Sequence, residues 1–88
     1  MINKKNGKWK FYDQRGALQR VQSFTDDIPN GKWISYYPNG KKQNEGSYSM
    51  LKKEGIWSFY DENGDVTYRV EYTNGEISKT LIDKRKKQ

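Results

Sequence analysis

The sequence predicts an all-β protein, an antiparallel meander of three 24-residue hairpin repeats forming a single twisted, elongated sheet. Three observations carry this expectation. Gly7-Lys8-Trp9-Lys10-Phe11-Tyr12 recurs as Gly31-Lys32-Trp33-Ile34-Ser35-Tyr36 and as Gly55-Ile56-Trp57-Ser58-Phe59-Tyr60, each beginning 24 residues after the last. The phase then holds without insertion through Gly16, Gly40 and Gly64 and through Phe24, Tyr48 and Tyr72, which is the mark of a repeat architecture. Finally, apolar residues make up only 32% of the 88 and aromatic residues alone 15%. Large rings must therefore supply the burial that aliphatic side chains supply elsewhere.

Each element follows from local chemistry. The Gly-x-Trp-x-x-Tyr segment is short, aromatic and bounded by turn residues, which reads as a strand. Turn chemistry follows it in every unit, as Asp13-Gln14-Arg15-Gly16, Pro38-Asn39-Gly40 and Asp61-Glu62-Asn63-Gly64. Asn-Gly pairs at Asn6, Asn30, Asn39, Asn63 and Asn74 suit the positive φ of primed hairpin turns. A second strand comes next, clearest in Val66-Thr67-Tyr68-Arg69-Val70-Glu71-Tyr72, where apolar and polar residues alternate. Connections of five or six residues, Thr25 to Asn30 and Ser49 to Glu54, then lead to the next unit. The chain divides into a lead-in at 1–6, repeats at 7–30, 31–54 and 55–78, and a basic tail at 79–88. Across the end of the third repeat and the tail, Glu76 to Asp83 either extends a final strand or forms a short helix, the tail from 79 being a short helix or disordered, and Lys84-Arg85-Lys86-Lys87 reads as a solvated, disordered run. The repeats alone give six strands.

Side-chain alternation assigns the faces. One carries Trp9, Phe11, Leu18, Phe24, Trp33, Tyr37, Tyr48, Trp57, Phe59, Val66, Tyr68, Val70 and Tyr72. The other carries Tyr12, Tyr36 and Tyr60 among polar residues. Such a unit cannot bury its face alone, so neighbouring units supply the contacts.

The pattern Gly-x-Trp-x-x-Tyr-x-x-x-Gly, followed eight residues later by an aromatic residue, resembles the MORN repeat across residues 7 to 75. It looks most like the bacterial variant found in proteins grouped as toxin–antitoxin antitoxin components. The resemblance implies an elongated antiparallel sheet that mediates protein contacts, with phospholipid association in some members. The first unit departs from the pattern: Arg15-Gly16 replaces Asn-Gly, and the Glu-Gly-x-Tyr motif is whole only as Glu45-Gly46-Ser47-Tyr48. The first hairpin is therefore expected to be the least regular.

The chain has no Cys and no His, which removes disulfides, thiolate nucleophiles, imidazole bases and the usual zinc ligands. Asp61-Glu62-Asn63-Gly64-Asp65 lacks the ligand order of a calcium loop and is the same hairpin turn as in the other units. No Asp, Glu, Lys, Tyr or Ser sits in a nucleophile motif, so neither an enzyme nor a cofactor or metal site is expected. The Trp9, Trp33 and Trp57 column and the Gly16, Gly40 and Gly64 column read as the structural repeat, because identical positions in every unit hold a solenoid together. Partner-binding candidates are the tyrosines at Tyr12, Tyr36 and Tyr60, a ladder on the polar face, since tyrosine is a rigid amphipathic anchor. Residues that break the repeat join them: Ile34 and Tyr37, unique to the middle unit, and Met50 and Leu51, apolar in a connection beside Lys52-Lys53. These four also suit covering the ends of the aromatic face.

The expected function is a non-catalytic protein-binding module, an inhibitor or antitoxin-like protein acting through its sheet face or edge, of bacterial or phage origin. The alternative is electrostatic binding of anionic lipid or nucleic acid through the basic termini, and edge strands permit homo-oligomers. The net charge of +6 belongs to those termini. Lys4, Lys5, Lys8 and Lys10 stand at one end and residues 84–87 at the other, leaving a mildly acidic sheet between. No run of 18 apolar residues and no leader is present, so the chain as it stands is expected in the cytoplasm, or exported if residues once preceded it.

Overall fold

The computed structural model describes residues 4–85. Seven strands form one open antiparallel sheet in chain order: β1 (Gly7–Tyr12), β2 (Leu18–Thr25), β3 (Ile28–Tyr36), β4 (Lys42–Ser49), β5 (Lys52–Tyr60), β6 (Val66–Thr73) and β7 (Glu76–Asp83). Among the described residues no second layer covers it. The radius of gyration is 14.4 Å and the extents 52 × 35 × 18 Å, whereas a compact domain of this length has a radius near ~12 Å. The expected meander of hairpins is present, elongated as anticipated.

The three hairpins share one register. Gly7 pairs with Phe24, Gly31 with Tyr48 and Gly55 with Tyr72. A five-residue loop joins the strands of each hairpin. In the first and third, Asp13 and Asp61 each accept two backbone N–H groups on Oδ1, from Arg15 and Ala17 and from Asn63 and Asp65, at 2.9–3.0 Å. Gly16, Gly40 and Gly64 close these loops at φ of 87°, 90° and 96°. Each donates its N–H three residues back, to the carbonyls of Asp13, Tyr37 and Asp61. The Asp61 carboxylate is thus a loop cap. Contrary to expectation, the first hairpin is as regular as the others, because Asp13 does for Arg15-Gly16 what Asp61 does for Asn63-Gly64.

Two further expectations are corrected by backbone geometry. Between hairpins there are no five- or six-residue connections. Thr25 pairs with Ile28, Ser49 with Lys52 and Thr73 with Glu76, so each connection is a two-residue turn with both central φ positive: Asp26-Asp27 (49°, 69°), Met50-Leu51 (48°, 80°) and Asn74-Gly75 (54°, 85°). Asn30-Gly31 lies inside β3 instead of at a turn; Asn30, Gly31 and Lys32 oppose the single Ser23 as a bulge.

Bulges also change the faces. In every hairpin one extra residue, Gln19, Gln43 or Thr67, interrupts the second strand. Tyr12 then pairs with Leu18, and Tyr60 with Val66. Leu18 and Val66 therefore share the tyrosine face and leave the aromatic one, since one inserted residue reverses the alternation.

The meander also has a seventh strand. Residues 76–83 join the sheet as β7, with Arg69 opposite Ile82 as Glu45 is opposite Ser58 and Val21 opposite Ile34. β7 stands where the first strand of a fourth unit would, with Lys79 in the glycine column and Leu81 in the tryptophan column. Residues 79–83 are thus sheet and not tail, and neither helix nor disorder applies to Glu76–Asp83. Lys86 and Lys87 of the expected tail lie outside the described residues.

The turns are tied to the preceding unit in a repeating way. The N–H groups of Asp26, Met50 and Asn74 donate to the side chains of Asn6, Asn30 and Glu54 at 3.0–3.1 Å. Those of Asp27, Leu51 and Gly75 donate to the carbonyls of Lys5, Pro29 and Lys53 at 2.9–3.0 Å. These bonds explain how a single sheet sustains tight turns at Met50 and Leu51, residues that rarely accept positive φ.

Candidate functional site

The aromatic face is built across the strands. Trp57 lies over Gly46, where three residues, Gly55 to Trp57, oppose that one position. Its ring centroid stands 5.3 Å from Tyr48, 6.3 Å from Tyr72 and 6.4 Å from Trp33, and its Nε1 donates to the Ser47 carbonyl at 2.9 Å. Trp33 meets Tyr48 edge-on at 5.9 Å and donates its Nε1 to Asn44 Oδ1 at 2.7 Å. Trp57 is 2% exposed and Val70 0%, whereas Trp9, in the same column, is 42% exposed. The tryptophan column is thus fully packed at Trp57, half-buried at Trp33 and open at β1.

Cations roof this face where a second layer is lacking. Lys5 Nζ stands 5.3 Å from the Trp9 ring, the Arg20 guanidinium 4.1 Å from Phe11, Lys53 Nζ 5.1 Å from Trp57 and the Arg85 guanidinium 3.7 Å from Tyr68. Their alkyl stems cover apolar surface while the charges meet the ring faces. Arg20 Nε is buried without a hydrogen-bond partner, so the rings are its principal company. The sequence reading missed this roof. Lys5 and Lys53 occupy equivalent positions two units apart with Pro29 between them, a signal too sparse to stand out.

The opposite face carries a row running Lys10, Val21, Ile34, Glu45, Ser58, Arg69 and Ile82, each paired with the next. Ile34 sits mid-row between Val21 and Glu45. The Tyr60 hydroxyl donates to Glu45 Oε2 at 2.6 Å, and Lys42 Nζ contacts Oε1 at 3.2 Å. The Tyr60 hydrogen bond, aided by Lys42 and Lys32, holds the Glu45 carboxyl below its usual range against partial desolvation. Arg69 Nε donates to Ser58 Oγ at 2.8 Å.

The candidate residues fall into two groups at opposite ends of the strands. Tyr12, Tyr36 and Tyr60 end β1, β3 and β5, with Tyr12 56% exposed and the other two half-buried. Tyr37 begins the middle loop and donates its hydroxyl to the Tyr60 carbonyl at 2.7 Å, so it ties two loops together. Met50 and Leu51 form a turn at the other end, 51% and 64% exposed. The recesses are open and shallow. One of about 370 Å³ is lined by Lys42, Glu45, Tyr60 and Gly64, and one of about 610 Å³ by Tyr48, Leu51, Lys53 and Tyr72. Among the described residues no three His, Cys, Asp or Glu side chains group closely enough to hold a metal ion, and no helix is long and apolar enough to cross a membrane.

A family model described as a MORN repeat variant matches residues 5–26, 29–50 and 53–77. Its three segments begin earlier than the glycine-phased units and end at or just past the tight turns, so each keeps one hairpin whole. No curated protein and no solved structure matches the chain. MORN repeats are non-catalytic modules commonly used for binding. With three consecutive matches covering most of its length, and a hairpin of one register under each, this chain belongs to the MORN repeat-variant family.

Proposed function

We propose that the chain is a non-catalytic module that binds a protein partner through an open face or edge of its sheet, and that this binding inhibits the partner. The observation supporting the reading is the single-layer architecture. Both faces and both edge strands reach solvent, and the recesses are too open to enclose most of a small molecule, as ligand pockets do. An extended macromolecular surface suits such a sheet better. Tyr12, Tyr36 and Ile34 on one face, and Met50-Leu51 at the turns, are the anchors we assign to the contact.

The basic ends would support anionic lipid or nucleic acid instead, but two of their cations, Lys5 and Arg85, already have partners. Lys5 lies over Trp9 and Phe24, and Arg85 grips Asp83 through two bonds of 3.0 Å. The test is affinity capture on the full chain in extract of its native host, read by mass spectrometry, followed by assay of the captured protein's activity with and without the chain. A stoichiometric protein partner, lost with Tyr36→Ala and inhibited by the intact chain, is the expected result. Co-purifying lipid or nucleic acid with no enriched protein, released steeply by salt, would overturn it.

A further inference from the structure

We propose that the outer edge of β1 is the docking strand for an extended acidic segment of the partner. The segment adds to the sheet with carboxylates opposite Lys8 and Lys10 and an apolar side chain opposite Trp9. The inference rests on the protein-binding reading above and adds to the contact assigned there a separate edge contact, with the partner's chemistry at it.

The tight turn at Asp26-Asp27 fixes which backbone groups are free. In a two-residue hairpin the flanking residues, here Thr25 and Ile28, form a hydrogen-bonded pair. Thr25 therefore directs its N–H and C=O to β3, and the alternate residues Phe24, Gln22 and Arg20 direct theirs to β1. Their partners Gly7, Trp9 and Phe11 return them. Lys5, in the same phase, also faces inward: its N–H donates to Asp27 Oδ1 at 2.7 Å and its carbonyl accepts from the Asp27 N–H at 2.9 Å. Lys8 and Lys10 thus turn their backbone donors and acceptors away from the sheet.

The two edges of the sheet are protected differently. β7 carries two register breaks, between Arg69 and Val70 and between Glu71 and Tyr72, and mixes Glu76, Lys79 and Asp83. Such bulges twist an edge away from pairing. β1 pairs without a break from Gly7 to Phe11. Its protection is charge: Lys4, Lys5, Lys8 and Lys10, with no acid before Asp13. Two copies meeting antiparallel about Trp9 would set each Lys8 against a Lys10, and like charges directly opposite repel. An acidic strand turns that repulsion into attraction. Trp9, 42% exposed beside the free edge, lies at a position whose opposite side chain comes close, since the pair there is not hydrogen-bonded. An apolar residue between two carboxylates fills it. Strand addition of this kind takes affinity from main-chain bonds and specificity from alternate side chains.

The test titrates the isotope-labelled full chain with a capped octapeptide of alternating glutamate and valine. A block-ordered peptide of the same composition serves as control. The expected result is shifted and exchange-protected amides at Lys8 and Lys10, with binding weakened about tenfold by Lys8→Glu with Lys10→Glu. These side chains are exposed, so the variant is expected to fold. Equal binding of the block-ordered peptide, or shifts centred on β7 or on Tyr36 and Tyr60, would overturn the inference. A protein partner captured equally well by the Lys8→Glu, Lys10→Glu variant would overturn it too, while leaving the protein-binding reading intact. Absence of any protein partner sinks that reading, and the peptide titration still decides the edge.

Discussion

Replacing Gly46 with alanine puts a methyl group where the Trp57 ring already lies. The added Cβ falls 2.1, 2.2 and 2.4 Å from Cδ2, Cε2 and Cγ of that ring. Carbon atoms rest at about 3.5–4.0 Å, so the ring must lift by about 1.5 Å. Gly46 does not adopt positive φ, so backbone strain contributes nothing and the whole effect is crowding. Lifting the ring breaks its bond to the Ser47 carbonyl and disturbs its contacts with Tyr48, Tyr72 and Trp33. Overpacking costs about 1–3 kcal/mol and the hydrogen bond about 1 kcal/mol. The expected loss is therefore about 2–4 kcal/mol, a large share of the roughly 4–13 kcal/mol available to a domain of this size. Urea unfolding followed by far-ultraviolet circular dichroism measures it. Gly40→Ala is the control, because nothing lies within 4 Å of its Cβ and only its φ of +90° is unsuitable, a penalty of about 1–2 kcal/mol. A Gly46→Ala loss under about 0.5 kcal/mol, or one smaller than that of Gly40→Ala, would refute the packing argument.

Met50→Asn with Leu51→Gly supplies the residues that a turn with φ of 48° and 80° favours, and the pair should raise the unfolding free energy by about 1–2 kcal/mol; an unchanged urea midpoint counts against strain there. Glu45 titrates below its ordinary value of 4.5, so its bond to Tyr60 stabilises the fold above that value and the contribution is lost as pH falls through the depressed folded value. Tyr60→Phe should raise the Glu45 midpoint in a carboxylate-carbon NMR titration and flatten the acid side of the stability profile, and a midpoint that stays put refutes the assignment.

The glycine phase and the aromatic columns were legible because each column answers one physical demand, repeated without insertion. Gly16, Gly40 and Gly64 close identical loops, and Trp33 and Trp57 enter identical registers. What was hidden follows from residues that do not advertise their geometry. Gln19 and Thr67 are ordinary strand residues in sequence, yet as bulges they carry Leu18 and Val66 to the other face. Met50 and Leu51 are poor turn formers, so the two-residue connection they make resembled a longer one. β7 lacks both motif residues of its column, with Lys79 and Leu81 in their places, and its pairing rests on continuing the ladder from β6. The candidate site was legible as residue types and not as partners: Tyr60 was visible, its bond to Glu45 was not.

Equal residues in a repeat become unequal through their place in the array. Trp9, Trp33 and Trp57 are interchangeable in sequence, but Trp57 has strands on both sides and a glycine beneath it, and it is 2% exposed. Gln22 occupies that glycine's column beneath Trp33, which remains half-buried. Trp9 has no strand on its outer side and is 42% exposed. Repetition thus commits Trp57 to stability and leaves its first copy, Trp9, partly uncovered. The lysines of β1 gather around that uncovered copy, where they oppose self-association and remain available to an acidic strand. The N-terminal share of the positive charge and an exposed ring meet at β1, and it is there that the array has both the ring and the free backbone groups to bind something else.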